Sequence, residues 1–239
     1  MECSECPSAR LAALQAAWLA PLRTRLLRRA LVARRARVLD LGSGHGATTL
    51  ELARRAGGSV VALDRRPLRP DPSCPTVGAD AVSLPFRDCS FDLVFSQFFL
   101  LWAPLGPALA EVARVLAPQG AFVALEPDFG GLVEHPASTA VQPLWMAALE
   151  RAGADPLVGR ALPSACAALG LEVEVHLASA SPPPSPRRFD LLSELPLLPA
   201  EAAALARARA SAHGAPPGMV AHLPVFGVLA HHPCVRFGR

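Results

Sequence analysis

The stretch RVLDLGSGHGATTLELAR, from Arg37 to Arg54, constrains the fold of this chain more than any other. A short apolar strand runs directly into three alternating glycines, Gly42, Gly44 and Gly46, and a helical pattern follows. Glycine permits a tight turn where a side chain would clash, and it leaves the backbone bare for close approach of a ligand. The pattern therefore predicts a strand–turn–helix unit with a ligand site at the turn.

Short apolar runs alternate with helical patterns after the glycine turn. The runs are rich in Val, Leu and Phe, and they are SVVALD, CPTVGAD, FDLVFS, GAFVALE, LEVEVHL and LPVFGVLA. Helical patterns at 47–56 and 107–116 separate some of the early runs. Strands that alternate with helices indicate βαβ units and a mainly parallel sheet covered on both faces. We therefore expect an α/β fold with the glycine turn at the carboxyl edge of the sheet.

The predicted organisation is an N-terminal helical segment, residues 1–36, followed by one α/β domain, residues 37–239. Leucines at helical spacing predict one helix over 9–33 that is kinked at Pro21, or two short helices. A Pro-rich and helical insertion is expected at about 180–220, where a long segment separates the last two predicted strands.

Composition excludes several kinds of chemistry. The 239 residues include no Lys and no Tyr, so all 23 basic side chains are Arg. A Schiff-base lysine and a Tyr/Lys proton relay are therefore impossible, which argues against a nicotinamide-dependent oxidoreductase. The six Cys are scattered, which favours a reducing compartment. Because no signal-peptide pattern or membrane-spanning run is visible, we expect a cytoplasmic protein.

The glycine turn by itself leaves the ligand undecided, because GSGHGA also satisfies the dinucleotide pattern G-x-G-x-x-G/A. Asp64, at the end of the second predicted strand, can accept hydrogen bonds from a ribose diol in either case. Asp40 would repel a pyrophosphate but would suit a ligand that carries an amino group. In GADAVSLPF, Asp80 follows the third strand, where its carboxylate can accept a hydrogen bond from an adenine amine. These residues favour a nucleoside with an amino group.

The ordered motifs from Arg37 to Pro127 resemble those of class I S-adenosylmethionine-dependent methyltransferases, in the branch related to the quinone-biosynthesis C-methyltransferases. The resemblance implies a Rossmann-like, doubly wound sheet of seven mostly parallel strands with helices on both faces. It also implies that LPVFGVLA supplies an antiparallel last strand between the fifth and sixth strands. S-adenosyl-L-methionine is the implied cofactor, and the N-terminal segment is expected to cover the pocket.

The resemblance implies a role for each candidate cofactor residue. The backbone of the turn would hold the methionine part, and Asp40 would lie close to its amino group. Asp64 would bind the ribose, Asp80 the adenine amine, and the Ala81 N–H the adenine ring. Two polar residues after the fourth strand would lie beside the sulfonium. The complete set is Asp40, Gly42, Ser43, Gly44, Gly46, Asp64, Asp80, Ala81, Ser96 and Gln97.

The methyl acceptor is expected to be a small, partly apolar molecule, such as a quinone-like ring, another natural product or a fatty acid derivative. The segment EPDFGGLVEHP follows the fifth strand and is expected to face the acceptor. Within it, His135 is the candidate general base, because an unperturbed imidazole has a pKa of about 6.5; the alternative is a loop histidine packed beside Pro136. The candidate acceptor-pocket aromatics are Trp18, Phe98, Phe99, Trp102, Phe129 and Trp145.

Other functions and sites stay open at this point. Arginines crowd the segment 23–37 and could contact RNA or DNA, but a net charge of +3 does not by itself indicate a nucleic-acid partner. The Asn/Asp-Pro-Pro-aromatic tetrapeptide of amino-directed nucleic-acid methyltransferases is absent, and SQFF stands in its place. A non-catalytic partner protein that binds the cofactor, or nothing, is a second alternative. Cys3 and Cys6 form only half of a zinc motif, so no metal is expected.

Overall fold

The computed structural model describes residues 9–66, 74–178, 187–213 and 218–233. The strands are β1 (Arg37–Leu41), β2 (Ser59–Asp64), β3 (Thr76–Gly78), β4 (Phe91–Gln97), β5 (Leu116–Pro127), β6 (Val133–His135), β7 (Glu172–Leu177), β8 (Val220–His222) and β9 (Val225–His231). The helices are α1 (Ala9–Arg29), α2 (Thr49–Arg55), α3 (Leu105–Val115), α4 (Gln142–Arg151), α5 (Val158–Ala168), α6 (Arg187–Ser193) and α7 (Pro199–Ser211). Within these ranges no helix combines the length and the apolar character needed to cross a membrane.

The main sheet has seven strands in the order β3-β2-β1-β4-β5-β9-β7. The pairs from β3 to β5 are parallel, whereas β9 runs antiparallel to both β5 and β7. The predicted seven-stranded, doubly wound sheet with an antiparallel last strand is thereby confirmed. The strand order reverses between β1 and β4, and the crevice outside the carboxyl ends of such strands is where open α/β sheets bind ligands.

The central strands are apolar on both faces because each face is covered by helices. Successive side chains of a strand point to opposite faces. On β4, Leu93 and Phe95 pack in one core with leucines of α1 and α2, while Val94 packs in a second core with α3, α4 and α5. All three β4 side chains are fully buried. The uninterrupted apolar run FDLVF therefore reflects a strand buried on both sides.

Helix α1 continues through Pro21 as one helix of 21 residues. Its C-terminal half packs on the sheet through Leu19, Leu22, Leu26 and Leu27. Its N-terminal half, from Leu11 to Trp18, contributes to the wall of a large cavity. The segment 1–36 therefore holds a helix that lies against the predicted site, and its definition as a separate unit remains a prediction.

The predicted insertion at 180–220 includes α6, α7 and the start of β8; its Pro-rich part, residues 179–186, lies outside the described residues. β8 pairs antiparallel with β6 in a small second sheet. Glu134 of β6 forms an ion pair with Arg188 of α6, and it also accepts the backbone N–H groups of Val141 and Gln142 at 2.7 and 2.8 Å. This buried carboxylate therefore ties the insertion to the start of α4.

Candidate functional site

A cavity of about 1140 Å³ opens at the carboxyl ends of β1 to β5. The loops after β1, β2, β3 and β4 line one end, and α1, α4, α6 and the region of β8 line the other. Pockets that hold one small ligand usually measure about 300–1,000 Å³. The cavity is therefore larger than a usual pocket for one small ligand.

The glycine turn forms one wall of this cavity and needs its glycines for two different reasons. Gly42, Gly44 and Gly46 have φ of +75°, +47° and +72°, values that residues with a side chain rarely adopt. A Cβ on Gly42 would lie 2.0 Å from the ring of Phe99, whereas a Cβ on Gly44 would meet no atom of the described residues within 4 Å. Gly42 thus allows close packing, and Gly44 leaves bare surface facing the cavity.

The turn is held by its own hydrogen bonds. The N–H groups of Gly42 and Ser43 donate to the Leu63 carbonyl at 2.8 and 2.9 Å, and that of Gly44 donates to Asp64 Oδ2 at 2.9 Å. Because these three N–H groups already donate to protein acceptors, the turn would contact a ligand through the shape of its backbone and not through these donors. Asp64 Oδ1 accepts the N–H of Arg66 at 3.0 Å. A carboxylate has about four acceptor sites, so Asp64 keeps capacity for ribose hydroxyls.

Asp40 lies beneath the turn and does not line the cavity. Its Oδ2 accepts the hydroxyl groups of Thr49 and Thr48 at 2.6 and 3.3 Å. Complete burial raises the pKa of Asp40 to about 6, against the opposing effects of these hydrogen bonds and of the Arg23 charge. Gly46 and Ser96 also lie outside the cavity lining. The cofactor roles of these three residues stay predictions. In this geometry Asp40 and Gly46 would act through the shape of the turn, whereas Ser96 is a fully buried residue of β4.

The other candidate cofactor residues meet at one wall. Asp80 and Ala81 follow β3, Asp64 ends β2, the glycine turn follows β1, and Gln97 ends β4. Because the strand order is β3-β2-β1-β4, these groups form a row about 14 Å long, at about 4.8 Å per strand. A row of this length suits an adenosine at the β3 end with an amino-acid tail that extends towards β4.

The opposite end of the cavity is aromatic and aliphatic. All six aromatic residues predicted for the acceptor pocket line the cavity: Trp18, Phe129 and Trp145 lie at this end, and Phe98, Phe99 and Trp102 lie on the loop after β4. Trp18 meets Phe98 edge to face at 6.0 Å, and Phe129 stacks on Trp145 at 4.7 Å between ring centroids. Leucines from α4, α6 and the β8 region complete this wall. The arrangement suits an acceptor with a flat or apolar body.

His135 is exposed on β6 and lies outside the cavity lining, whereas its neighbour Glu134 faces the cavity. This difference follows from the alternation of side chains along a strand. Its catalytic role therefore stays a prediction that this geometry does not support. His222 on the partner strand β8 lines the cavity, and our sequence analysis missed it. The three-residue strands β6 and β8 lie far apart in the chain, and no local pattern marks their pairing.

Glu126 is a second residue whose importance the sequence does not reveal, since it is one of four acidic or imidazole groups in EPDFGGLVEHP. It is fully buried near the end of β5, and its Oε1 accepts the N–H groups of Phe99 and Leu100 at 3.1 and 2.9 Å. Burial raises the pKa of Glu126 to about 8. The carboxyl group fixes the loop that carries Phe98 and Phe99 into the cavity.

No three His, Cys, Asp or Glu side chains among the described residues lie close enough together to hold a metal ion. Cys3 and Cys6, which could form half of a zinc site, lie outside the residues that the structure describes.

The sheet order, the antiparallel strand between β5 and β7 and the glycine turn above a nucleoside-sized row of polar groups define a class I methyltransferase fold. A family model described as a methyltransferase domain matches residues 39–124, from β1 to β5. The matched segment, residues 39–124, carries a methyltransferase domain, and this supports the resemblance to class I S-adenosylmethionine-dependent methyltransferases that the sequence motifs predict.

Among curated proteins, the chain is similar to the malonyl-[acyl-carrier protein] O-methyltransferase of Halorhodospira halophila, with 45% identity over 98 residues. It is also similar to the demethylmenaquinone methyltransferase of Thermus thermophilus, with 39% identity over 102 residues. The matches cover 36% and 38% of this chain, and 32% and 46% of the two relatives. The matched part therefore spans about a third to a half of these relatives.

Among solved structures, the geranyl diphosphate C-methyltransferase of Streptomyces coelicolor A3(2), with S-adenosyl-L-homocysteine bound, shares the fold with a TM-score of 0.58. The identity is 15%, over 90% of this chain and 77% of that one, so the likeness concerns the fold alone. S-adenosylmethionine is the cofactor of the class. The residues present fit it, since the open surface at Gly44 and the acceptor capacity of Asp64 match a nucleoside with a thioether-linked tail.

Proposed function

We propose that the protein transfers a methyl group from S-adenosylmethionine to a small, partly apolar acceptor. The observation that carries this proposal is the single continuous cavity, which joins the polar row at β3 to β4 with an aromatic chamber and has room for both molecules. The matched curated relatives act by name on a malonyl group carried by a protein and on a demethylmenaquinone. The quinone ring of the second acceptor is a flat, partly apolar body of the kind that this chamber favours.

The protein contributes mainly by holding and orienting the two reactants. When bound, the cofactor supplies an activated methyl carbon whose leaving group is a neutral thioether. Asp64 and Asp80 would hold the adenosine, and Gly44 would allow the tail to lie against the turn. The aromatic side chains from α1 and the β4 loop would exclude water and align the acceptor. Such orientation can lower a barrier by roughly 7–11 kcal/mol in favourable systems.

A general base is needed only if the acceptor atom loses a proton during transfer. His135 is our sequence-based proposal for this base, and His222 is the cavity-lining imidazole on the paired strand. A comparison of His135→Asn with His222→Asn distinguishes them, because loss of the base lowers kcat and shifts the pH–rate profile. If neither variant changes the profile, the acceptor reacts without either of these two imidazoles as its base.

The first experiment is a calorimetric titration with S-adenosylhomocysteine, run beside NADH, with Asp64→Ala and Asp80→Ala as site variants. We expect micromolar binding of S-adenosylhomocysteine alone, weakened in both variants. Transfer of a radiolabelled methyl group into metabolite extracts then tests turnover. Absence of binding to the folded protein would contradict the proposal and would favour the alternative of a non-catalytic partner protein. Binding without transfer to any extract component would favour the same alternative with the cofactor site retained.

A further inference from the structure

Arg23 is a buried charge at the end of the cavity where β4 ends. It belongs to the Arg-rich N-terminal segment, yet only 3% of it is exposed. Its Nε donates to Glu51 Oε2 of α2 at 3.0 Å, and its Nη1 donates both to the Ala16 carbonyl at 2.8 Å and to Gln97 Oε1 at 2.9 Å. Burying a charge is costly unless it is paired and hydrogen-bonded. Arg23 meets this condition only while α1 is docked against α2 and β4.

The same contact fixes the direction of the Gln97 amide. A guanidinium has donors and no acceptor, so the amide atom that faces Arg23 must be the oxygen. The amide nitrogen Nε2 therefore points away from Arg23. Among the described residues, no group accepts a hydrogen bond from Nε2. Nε2 is also absent from the set of fully enclosed polar atoms that lack a partner, so it is not enclosed by these residues. Because Gln97 lines the cavity, this group presents free N–H donors to a ligand.

Gln97 stands at the far end of the row that begins with Asp80. If the adenosine lies over β3 and β2, the amino-acid tail of the ligand reaches the ends of β1 and β4. A carboxylate at that place would accept a hydrogen bond from Gln97 Nε2, with the positive charge of Arg23 directly behind the amide. A hydrogen bond to an ionised acceptor such as this carboxylate is roughly twice as strong as one between two neutral groups.

We propose that Arg23 is a positioning residue that docks α1 on the cofactor site and aims the Gln97 amide at the carboxylate of the cofactor's amino-acid tail. Arg23 itself does not line the cavity, so it acts through Gln97. This inference rests on the proposed function in one respect, the identity of the cofactor. It adds a reason why the N-terminal helix is part of the site, because the helix supplies the group that orients a ligand contact.

The test compares two ligands that differ in the tail. S-adenosylhomocysteine carries the amino and carboxylate groups, and 5′-methylthioadenosine lacks them. We expect Arg23→Lys and Gln97→Glu to weaken S-adenosylhomocysteine at least tenfold in calorimetric titrations, and to leave the affinity for 5′-methylthioadenosine within twofold. Lys cannot reproduce the planar fork of Arg. Arg28→Gln, an exposed position on the same helix, serves as the matched control and should leave both affinities unchanged.

Each possible result either supports or contradicts the positioning role of Arg23. Equal losses for both ligands would show that Arg23 only stabilises the fold, and an unchanged affinity for S-adenosylhomocysteine would overturn the positioning role directly. If Arg23→Lys does not fold, Gln97→Glu carries the test alone, since its carboxylate keeps the contact with Arg23 and replaces the donor with a negative charge that repels the ligand carboxylate. If the wild-type protein binds neither ligand, the cofactor assignment fails first and the positioning role fails with it.

Discussion

Glu126 is a carboxyl group that the fold removes entirely from water. Its position near the end of β5 lets it accept two backbone N–H groups of the β4 loop, and burial raises its pKa from the ordinary 4.5 to about 8. The folded protein therefore holds this proton more tightly than the unfolded chain does. The stabilisation that this proton contributes to the fold is therefore complete below about pH 4.5 and is lost as the pH rises towards 8.

We expect Glu126→Gln to flatten the pH dependence of stability between pH 6 and 8. One proton held only by the folded state corresponds to a slope of about 1.4 kcal/mol per pH unit. The window above pH 6 separates Glu126 from Asp40, whose pKa is raised only to about 6. Urea unfolding of both proteins at several pH values measures this slope. An identical slope in wild type and variant would contradict the assignment.

The glycine turn offers a matched pair of substitutions. Gly42→Ala places a methyl group 2.0 Å from the Phe99 ring, so we expect a loss of stability of about 1–3 kcal/mol from overpacking in addition to the left-handed strain. Gly44→Ala meets no atom within 4 Å in the part of the chain that the structure describes, so we expect only the strain, about 1–2 kcal/mol, together with a loss of S-adenosylhomocysteine affinity.

Thermal unfolding and calorimetric titration of the two glycine variants separate these effects. We expect Gly44→Ala to lose less stability than Gly42→Ala and still to lose affinity for S-adenosylhomocysteine. If Gly44→Ala bound S-adenosylhomocysteine like the wild type, the bare surface at Gly44 would not face the ligand.

At the level of elements, the small β6–β8 sheet and α6 form the outer wall of the aromatic chamber of the cavity. The ion pair between Arg188 and Glu134 holds them together, and the two side chains are 15% and 2% exposed. Arg188 also donates to the Thr139 carbonyl at 2.8 Å. By contrast, the Arg209–Asp190 pair between α7 and α6 is about half exposed on both sides.

We expect Arg188→Leu to lower the free energy of unfolding by about 3–5 kcal/mol, because it leaves the Glu134 carboxylate buried without its partner. Arg209→Leu is the matched control and should cost at most about 1 kcal/mol, as exposed ion pairs usually do. Urea denaturation measures both changes. Equal effects from the two substitutions would mean that the buried pair does not hold the wall in place.

Elements with a local signal were predictable from the sequence, and elements made by distant pairing were not. The strand-to-helix turn at Gly42 and the apolar strands follow from glycine conformation and from burial on two faces. The β6–β8 sheet has only three residues per strand, so its pattern is too short to detect. The burial of Arg23 and Glu126 was likewise hidden, because it depends on partners that lie 28, 74 and 26 residues away in the chain.

For the whole molecule, the distribution of arginines bears on the nucleic-acid alternative. Several arginines of the N-terminal segment make contacts within the protein. Arg23 pairs with Glu51, Arg29 pairs with Glu174, and Arg35 donates to the carbonyls of Ala30 and Gln119. Fewer arginines of this segment are therefore available for phosphates than its composition suggests.

We expect the protein to bind RNA weakly and with a shallow dependence on salt. Each phosphate contact contributes about −0.7 to −0.9 to the slope of log affinity against log salt concentration. Fluorescence anisotropy with a labelled single-stranded RNA, at several salt concentrations, measures this slope. Tight binding with a slope of about −4 or steeper would contradict the small-molecule proposal and would favour a nucleic-acid acceptor.

The position of β9 has a consequence for how the chain is made. This strand lies between β5 and β7, although it is translated after both of them. While the ribosome is still adding residues 178–224, the edge of β5 has unpaired backbone groups and β7 has no neighbour in the sheet. Exposed strand edges recruit other chains and promote aggregation. Until the final strand closes the sheet, the edges of β5 and β7 are therefore open to pairing with other chains.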